Sequence, residues 1–174
     1  MPTTTSKATA YAHLADKYSS FKYKIQDSSY HSKTPLEQIP MAIELAAALP
    51  DEISEALRML MFVFSITPKE LAEELMMNDR TVYRLFDGTK QKYDADTITY
   101  LCVAMHIPPP VSKKLLKLAR ITLLDTSVED MTLKMVLSSM YMSSFCEVRQ
   151  QLNDIKYSRI RKWNRDIGDA QCLH

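Results

Sequence analysis

The sequence predicts an all-α fold. Apolar residues recur at steps of three and four in one segment after another, which is the spacing of a helix face. Three S/T-x-x-E patterns, at Thr67 and Glu70, Thr126 and Glu129, and Ser144 and Glu147, mark helix starts. Only 2 of the 174 residues are Gly, whereas the good helix formers Leu, Ala, Met, Glu and Lys are frequent. No βαβ pattern and no repeat of fixed period is present.

Taken in order, residues 1–36 read as a flexible polar arm. Ser, Thr and Tyr dominate it, and five lysines (Lys7, Lys17, Lys22, Lys24, Lys33) face only Asp16 and Asp27. A short helix is expected near Ala8–Lys17 and a short extended segment at Lys22–Ile25. Residues 37–122 read as one helical domain. Its first helix is IPMAIELAAALP, ended by Pro50. The next spaces Ile53, Leu57, Leu60 and Phe64 on one face, with Asp51 and Glu52 favourable at its start. Thr67-Pro68-Lys69-Glu70 opens a third helix, with proline at its first position. Its apolar face is Leu71, Ala72 and Leu75. Met76 and Met77 then lead to Asn78, a good N-cap for a helix that turns Val82, Leu85 and Phe86 inward and stops at Gly88. After a polar connection come helices at Asp96–Met105 and Val111–Arg120, separated by Pro108, Pro109 and Pro110. Residues 123–174 read as a C-terminal helical hairpin and basic tail. Its helices start at the Thr126 and Ser144 caps and end near Met140 and Ile155.

Composition excludes several function classes. A net charge of +1 is incompatible with a uniformly basic nucleic-acid coat and allows only local basic patches. Cys102, Cys146 and Cys172 form no C-x-x-C pair and have no metal-ligand spacing with the 4 histidines, so reduced thiols and a cytoplasmic protein are expected. No signal peptide, no membrane span and no bound cofactor or metal is expected. His13, His31, His106 and His174 lie in tails or at a helix end, and no acid pair, nucleophile elbow or phosphate loop accompanies them. Catalysis is therefore not expected. Met131, Met135, Met140 and Met142 read as core, with an adaptable partner surface as the alternative. In the basic run Lys156–Arg165, Tyr157, Ile160 and Trp163 read as packing side chains of a terminal helix, with a DNA-backbone arm as the alternative.

The segment from Leu57 to Ile107 resembles the lambda-repressor-like (Cro/repressor, XRE) helix-turn-helix family. The matching residues are Thr67, Glu70, Leu71, Ala72, Glu73 and Leu75 of T-x-x-E-L-A-E-x-L. They are followed by Asn78, Thr81, Val82, Arg84, Leu85 and Gly88 of N-x-x-T-V-x-R-L-x-x-G. Thr97, Leu101, Ala104 and Ile107 fill a later T-x-x-x-L-x-x-A-x-x-I. The resemblance implies a five-helix lambda-repressor-like core, here with an extra N-terminal helix and the C-terminal hairpin. It also implies a transcriptional regulator of bacterial or mobile-element origin that binds double-stranded DNA as a homodimer; the helix of Leu115, Leu116 and Leu118 is where this fold often places the dimer contact, with ordinary packing against the final hairpin as the alternative.

In such proteins the second helix lies in the major groove. The resemblance thus assigns base reading to Asp79, Arg80, Tyr83 and Arg84 of helix 79–87. An Arg fork matches guanine, and an Asp accepts from cytosine. Lys69, Thr81, Thr89, Lys90 and Lys92 are the implied phosphate contacts. Three positions depart from the family pattern. Pro68 replaces a residue that usually donates to phosphate, Met76 replaces the usual turn glycine, and Asp79 replaces a neutral polar residue. Met in a left-handed turn costs about 1 kcal/mol, so an adjusted turn is expected. The alternative function is a protein–protein adaptor or antirepressor-like module that keeps the shape without DNA, with a protein partner on the C-terminal helices.

Overall fold

The computed structural model describes residues 12–16, 35–88 and 92–159, and among these there is no strand. The segment Lys22–Ile25 and residues Ile160 and Trp163 lie outside that set, as does most of the polar arm. Nine helices are described. α1 covers residues 12–16. It is followed by α2 (Pro35–Ala48), α3 (Ile53–Val63), α4 (Pro68–Glu74), α5 (Asp79–Phe86), α6 (Ala95–Ala104), α7 (Pro109–Leu118), α8 (Val128–Ser139) and α9 (Phe145–Asp154).

The caps explain most of these boundaries. Glu52 caps α3 by accepting from the N–H groups of Ser54 and Glu55 at 3.1 and 2.8 Å. Partial burial opposes its charge, but these bonds and the Ser54 hydroxyl outweigh that and hold the Glu52 carboxyl below its ordinary pKa. Thr67 and Ser144 form the expected reciprocal boxes with Glu70 and Glu147. One cap shifts by a residue. Ser127, not Thr126, caps α8, and the N–H it receives is that of Asp130, because Ser127 is the residue with extended backbone before the first turn. α2 begins before the apolar run, so Pro40 falls inside it and removes one donor from the ladder.

α2 lies on α7, α3 packs against α5 and α7, and α4 packs on α5. α6 contacts α7, α8 and α9, with α7 also touching α8. One contiguous core joins these layers. It contains Leu45, Leu57, Phe64, Leu75, Leu101 and Leu115, and reaches into the C-terminal helices through Leu133, Phe145 and Leu152. The Tyr100 and Phe145 rings meet edge to face, 5.4 Å apart. Leu115 is completely buried in this core.

Five helices end the same way. Ser65, Met76, His106, Arg120 and Lys156 each take a left-handed φ, between 52° and 58°. In each case that residue's N–H donates to the carbonyl three back, and the next N–H donates to the carbonyl five back. Ser65 to Phe62 (3.1 Å) and Ile66 to Met61 (2.9 Å) are one such pair. This is the Schellman motif, which normally selects glycine. The residue after each turn is apolar (Ile66, Met77, Ile107, Ile121, Tyr157) and provides the hydrophobic contact that fixes the exit. Anchored this way, the turns keep a left-handed residue without glycine. Met76 therefore does not force the adjustment expected from the sequence. Its φ is 53°, and the Arg149 guanidinium donates to its sulfur at 3.1 Å. The strain should be removable elsewhere. Ser65 is exposed, so Ser65→Gly is expected to raise stability by about 0.5–1 kcal/mol, seen as a higher urea midpoint. An unchanged or lower midpoint would show that the turn carries no strain.

The cysteines divide. Cys102 is free and fully buried, and burial pushes its thiol up to about 12. Cys146 is disulfide-bonded. The expectation of three reduced thiols fails at Cys146, which is half-buried on the first turn of α9 and not sealed in the core as Cys102 is.

Candidate nucleic-acid interface

α4 and α5 are joined by a tight connection from Leu75 to Asn78. Leu75 is the C-cap of α4 and Asn78 the N-cap of α5, with its side-chain oxygen accepting the Arg80 N–H at 2.9 Å. Ala72, 1% exposed, supplies the small side chain that lets the two helices approach. Val82, Leu85 and Phe86 are buried and lock α5 down. Asp79, Arg80, Thr81, Tyr83 and Arg84 are all exposed. Arg80, Tyr83, Arg84 and Asp87 stand at steps of three, one and three, so they share one face. Neither Arg80 nor Arg84 is held by a carboxylate among the described residues.

The acids of α4, which make this stretch negative by count, have structural work. Glu70 accepts from the Thr67 N–H (2.7 Å) and hydroxyl (2.9 Å). Glu73 pairs with Lys69 at 3.8 Å. Glu74 accepts the Phe145 N–H at 2.9 Å, capping a helix 71 residues further along the chain. Asp79 suits the first turn of α5 and Arg84 the last, each complementing the helix dipole. Asp87, the C-cap of α5, adds a second acid to the outward face. That face thus carries two cations and two anions.

The proposed phosphate contacts fare unequally. Thr81 and Lys92 are exposed. Lys69 is also exposed, with Glu73 one turn away at 3.8 Å. Thr89 and Lys90 lie outside the described residues. A comparison with protein-family models, curated proteins and solved structures finds no match to this chain. The functional reading therefore stands on the residues themselves.

Sequence reasoning missed the supports of this site. The Tyr93 hydroxyl donates to the Leu85 carbonyl, tying the end of α5 to the approach to α6. Burial and the nearby Glu52 and Asp87 push that phenol up to about 12. Glu74 and Met76 fasten α9 to α4 and its turn. Beyond α9, Tyr157 donates to Asp96 at 2.7 Å, and Arg159 bridges Asp96 (3.8 Å) and Asp130 (3.6 Å). Tyr157 is buried, as its packing role requires, while Arg159 is engaged by acids. The methionines correct the sequence reading. Met131 and Met135 are exposed because the core side of α8 is taken by Leu133, Val136 and Leu137, and Met142 beyond it is exposed too, while Met140 is half-buried and packs against the core. Among the described residues, no group of His, Cys, Asp and Glu could hold a metal, and no helix is long and apolar enough to cross a membrane.

Proposed function

We propose that this chain is a sequence-specific DNA-binding transcriptional regulator, built on a lambda-repressor-like arrangement of α3–α7, that reads the major groove with α5. One observation carries the reading. Arg80 and Arg84 are exposed, without an ion-pair partner among the described residues, and one turn apart on the second helix of the pair, while the acids of α4 are engaged by caps and an ion pair. Such a fork can meet guanine O6 and N7. A homodimer would set two α5 helices on half-sites roughly 34 Å apart. Leu115 is not available for that contact, being buried in the chain's own core. The bacterial or mobile-element origin and cytoplasmic location belong to the same proposal.

Selection of bound duplexes from a random pool tests the reading. The expected result is an enriched motif containing guanines, repeated about one helical turn apart. A pool no different from the input after successive rounds would overturn it. The protein-adaptor reading is favoured by the parity of Asp79 and Asp87 with the two arginines, and by the exposed apolar stripe Val128, Met131 and Met135 on α8.

A further inference from the structure

α7 carries three cations and no acid, Lys113, Lys114 and Lys117, and Arg120 follows just past its C-cap. Lys114 pairs with Asp51 at 3.5 Å. Lys113, Lys117 and Arg120 are exposed and have no ion-pair partner among the described residues; Lys113 and Lys117, four apart, share one side of the helix, and Arg120 stands in the left-handed turn that ends it. That side rims a cavity of about 740 Å³ between α7, the connection after it, and α8. Leu116, Ile121, Leu123 and Leu137 supply its apolar walls, and among the described residues no Asp or Glu lines it. Ser112 lies among them, but its hydroxyl already donates to the Ile107 and Pro108 carbonyls at 3.2 Å. Lys134 faces the rim from α8, with Asp125 on its ammonium.

Lys113 and Lys117, four residues apart on a helix, repel each other by a few tenths of a kcal/mol. No charge within the cavity lining relieves this. The volume falls within the range of about 300–1,000 Å³ typical of small-molecule sites, which are mainly apolar with a few polar groups that fix orientation. We propose that this cavity binds a single-chain amphipathic anion, an aliphatic carboxylate or phosphate monoester. The anionic head lies against Lys113, Lys117 and Arg120, and the chain lies along Leu116, Ile121, Leu123 and Leu137. Charge complementarity selects the head, and the apolar walls select the body. The proposal does not depend on DNA binding by α5.

Calorimetric titration of the full chain with decanoate and with decyl phosphate, both below their micelle concentrations, tests it. Saturable binding of at least one probe at one site is expected, with decanol weaker by at least about tenfold because it lacks the charge. The Lys117→Gln/Arg120→Gly variant should also lose at least about tenfold. Arg120 has a φ of 58°, so glycine suits its backbone and the fold should persist, as thermal melting will verify. Phosphatidylglycerol vesicles separate a membrane headgroup from a free amphiphile, and the chain should not sediment with them. Failure of both probes to bind, equal binding of decanol, unchanged affinity in the folded variant, or binding confined to vesicles would each overturn the proposal.

Discussion

Leu85→Ala is expected to remove about 2–5 kcal/mol of stability, whereas Arg84→Ala, its chain neighbour, should change it by less than about 0.5 kcal/mol. Leu85 is 2% exposed and belongs to the contiguous core, so truncation leaves a cavity beneath α5. Its carbonyl also receives the Tyr93 hydroxyl, so movement of the backbone there disturbs a buried hydrogen bond as well. Arg84 is exposed, with no carboxylate holding it among the described residues. Urea unfolding of the two variants reads the difference directly. Comparable losses would mean that Arg84 is a structural residue, and the assignment of α5's outward face to a partner would then lose its basis. A small loss at Leu85 would mean that α5 is not anchored as the packing indicates.

The contrast between these neighbours also shows what the sequence makes legible. Helix starts are local. Thr67 with Glu70 and Ser144 with Glu147 close their boxes within one turn, so a three-residue spacing suffices to find them. The inward face of α5 is equally local, because Val82, Leu85 and Phe86 have helical spacing and are all buried. What stays hidden is pairing at a distance. Glu74 reads as one more surface acid until Phe145 is seen against it, and Asp96 reads as a first-turn acid until Tyr157 and Arg159 reach it. Periodicity shows that an element has an apolar side but not which neighbour competes for it. For that reason Met131 and Met135, expected inside, were displaced outward by Leu133, Val136 and Leu137. The left-handed residues were hidden for a related reason. Ser65, Arg120 and Lys156 carry no glycine signature, and only the apolar residue after each turn marks the motif.

Charge counting over residues 66–90 misleads in the same way. Four cations against five anions make the stretch look unsuited to phosphate. The structure separates anions that are engaged from Arg80 and Arg84, which have no ion-pair partner among the described residues. Glu70, Glu73 and Glu74 are engaged by caps and an ion pair, and Asp79 and Asp87 lie beside Arg80 and Arg84 at α5. Whether that face attracts DNA depends on the two arginines, because no other free cation on α5 shares the task.

The largest functional effect is therefore expected from Arg80→Ala/Arg84→Ala. Each good bidentate Arg–guanine contact is worth about 1–3 kcal/mol, so loss of one or both should weaken binding to a selected duplex by roughly tenfold to more than a thousandfold. Both side chains are exposed, so the fold should melt within a few degrees of wild type, as expected when little stability is lost. Fluorescence anisotropy on that duplex, between about 50 and 200 mM salt, is the most direct measurement. DNA reading by α5 predicts that wild-type log K falls steeply with log salt, and that the double variant binds far more weakly while remaining folded. Wild type and variant binding with the same weak, salt-insensitive affinity would contradict it.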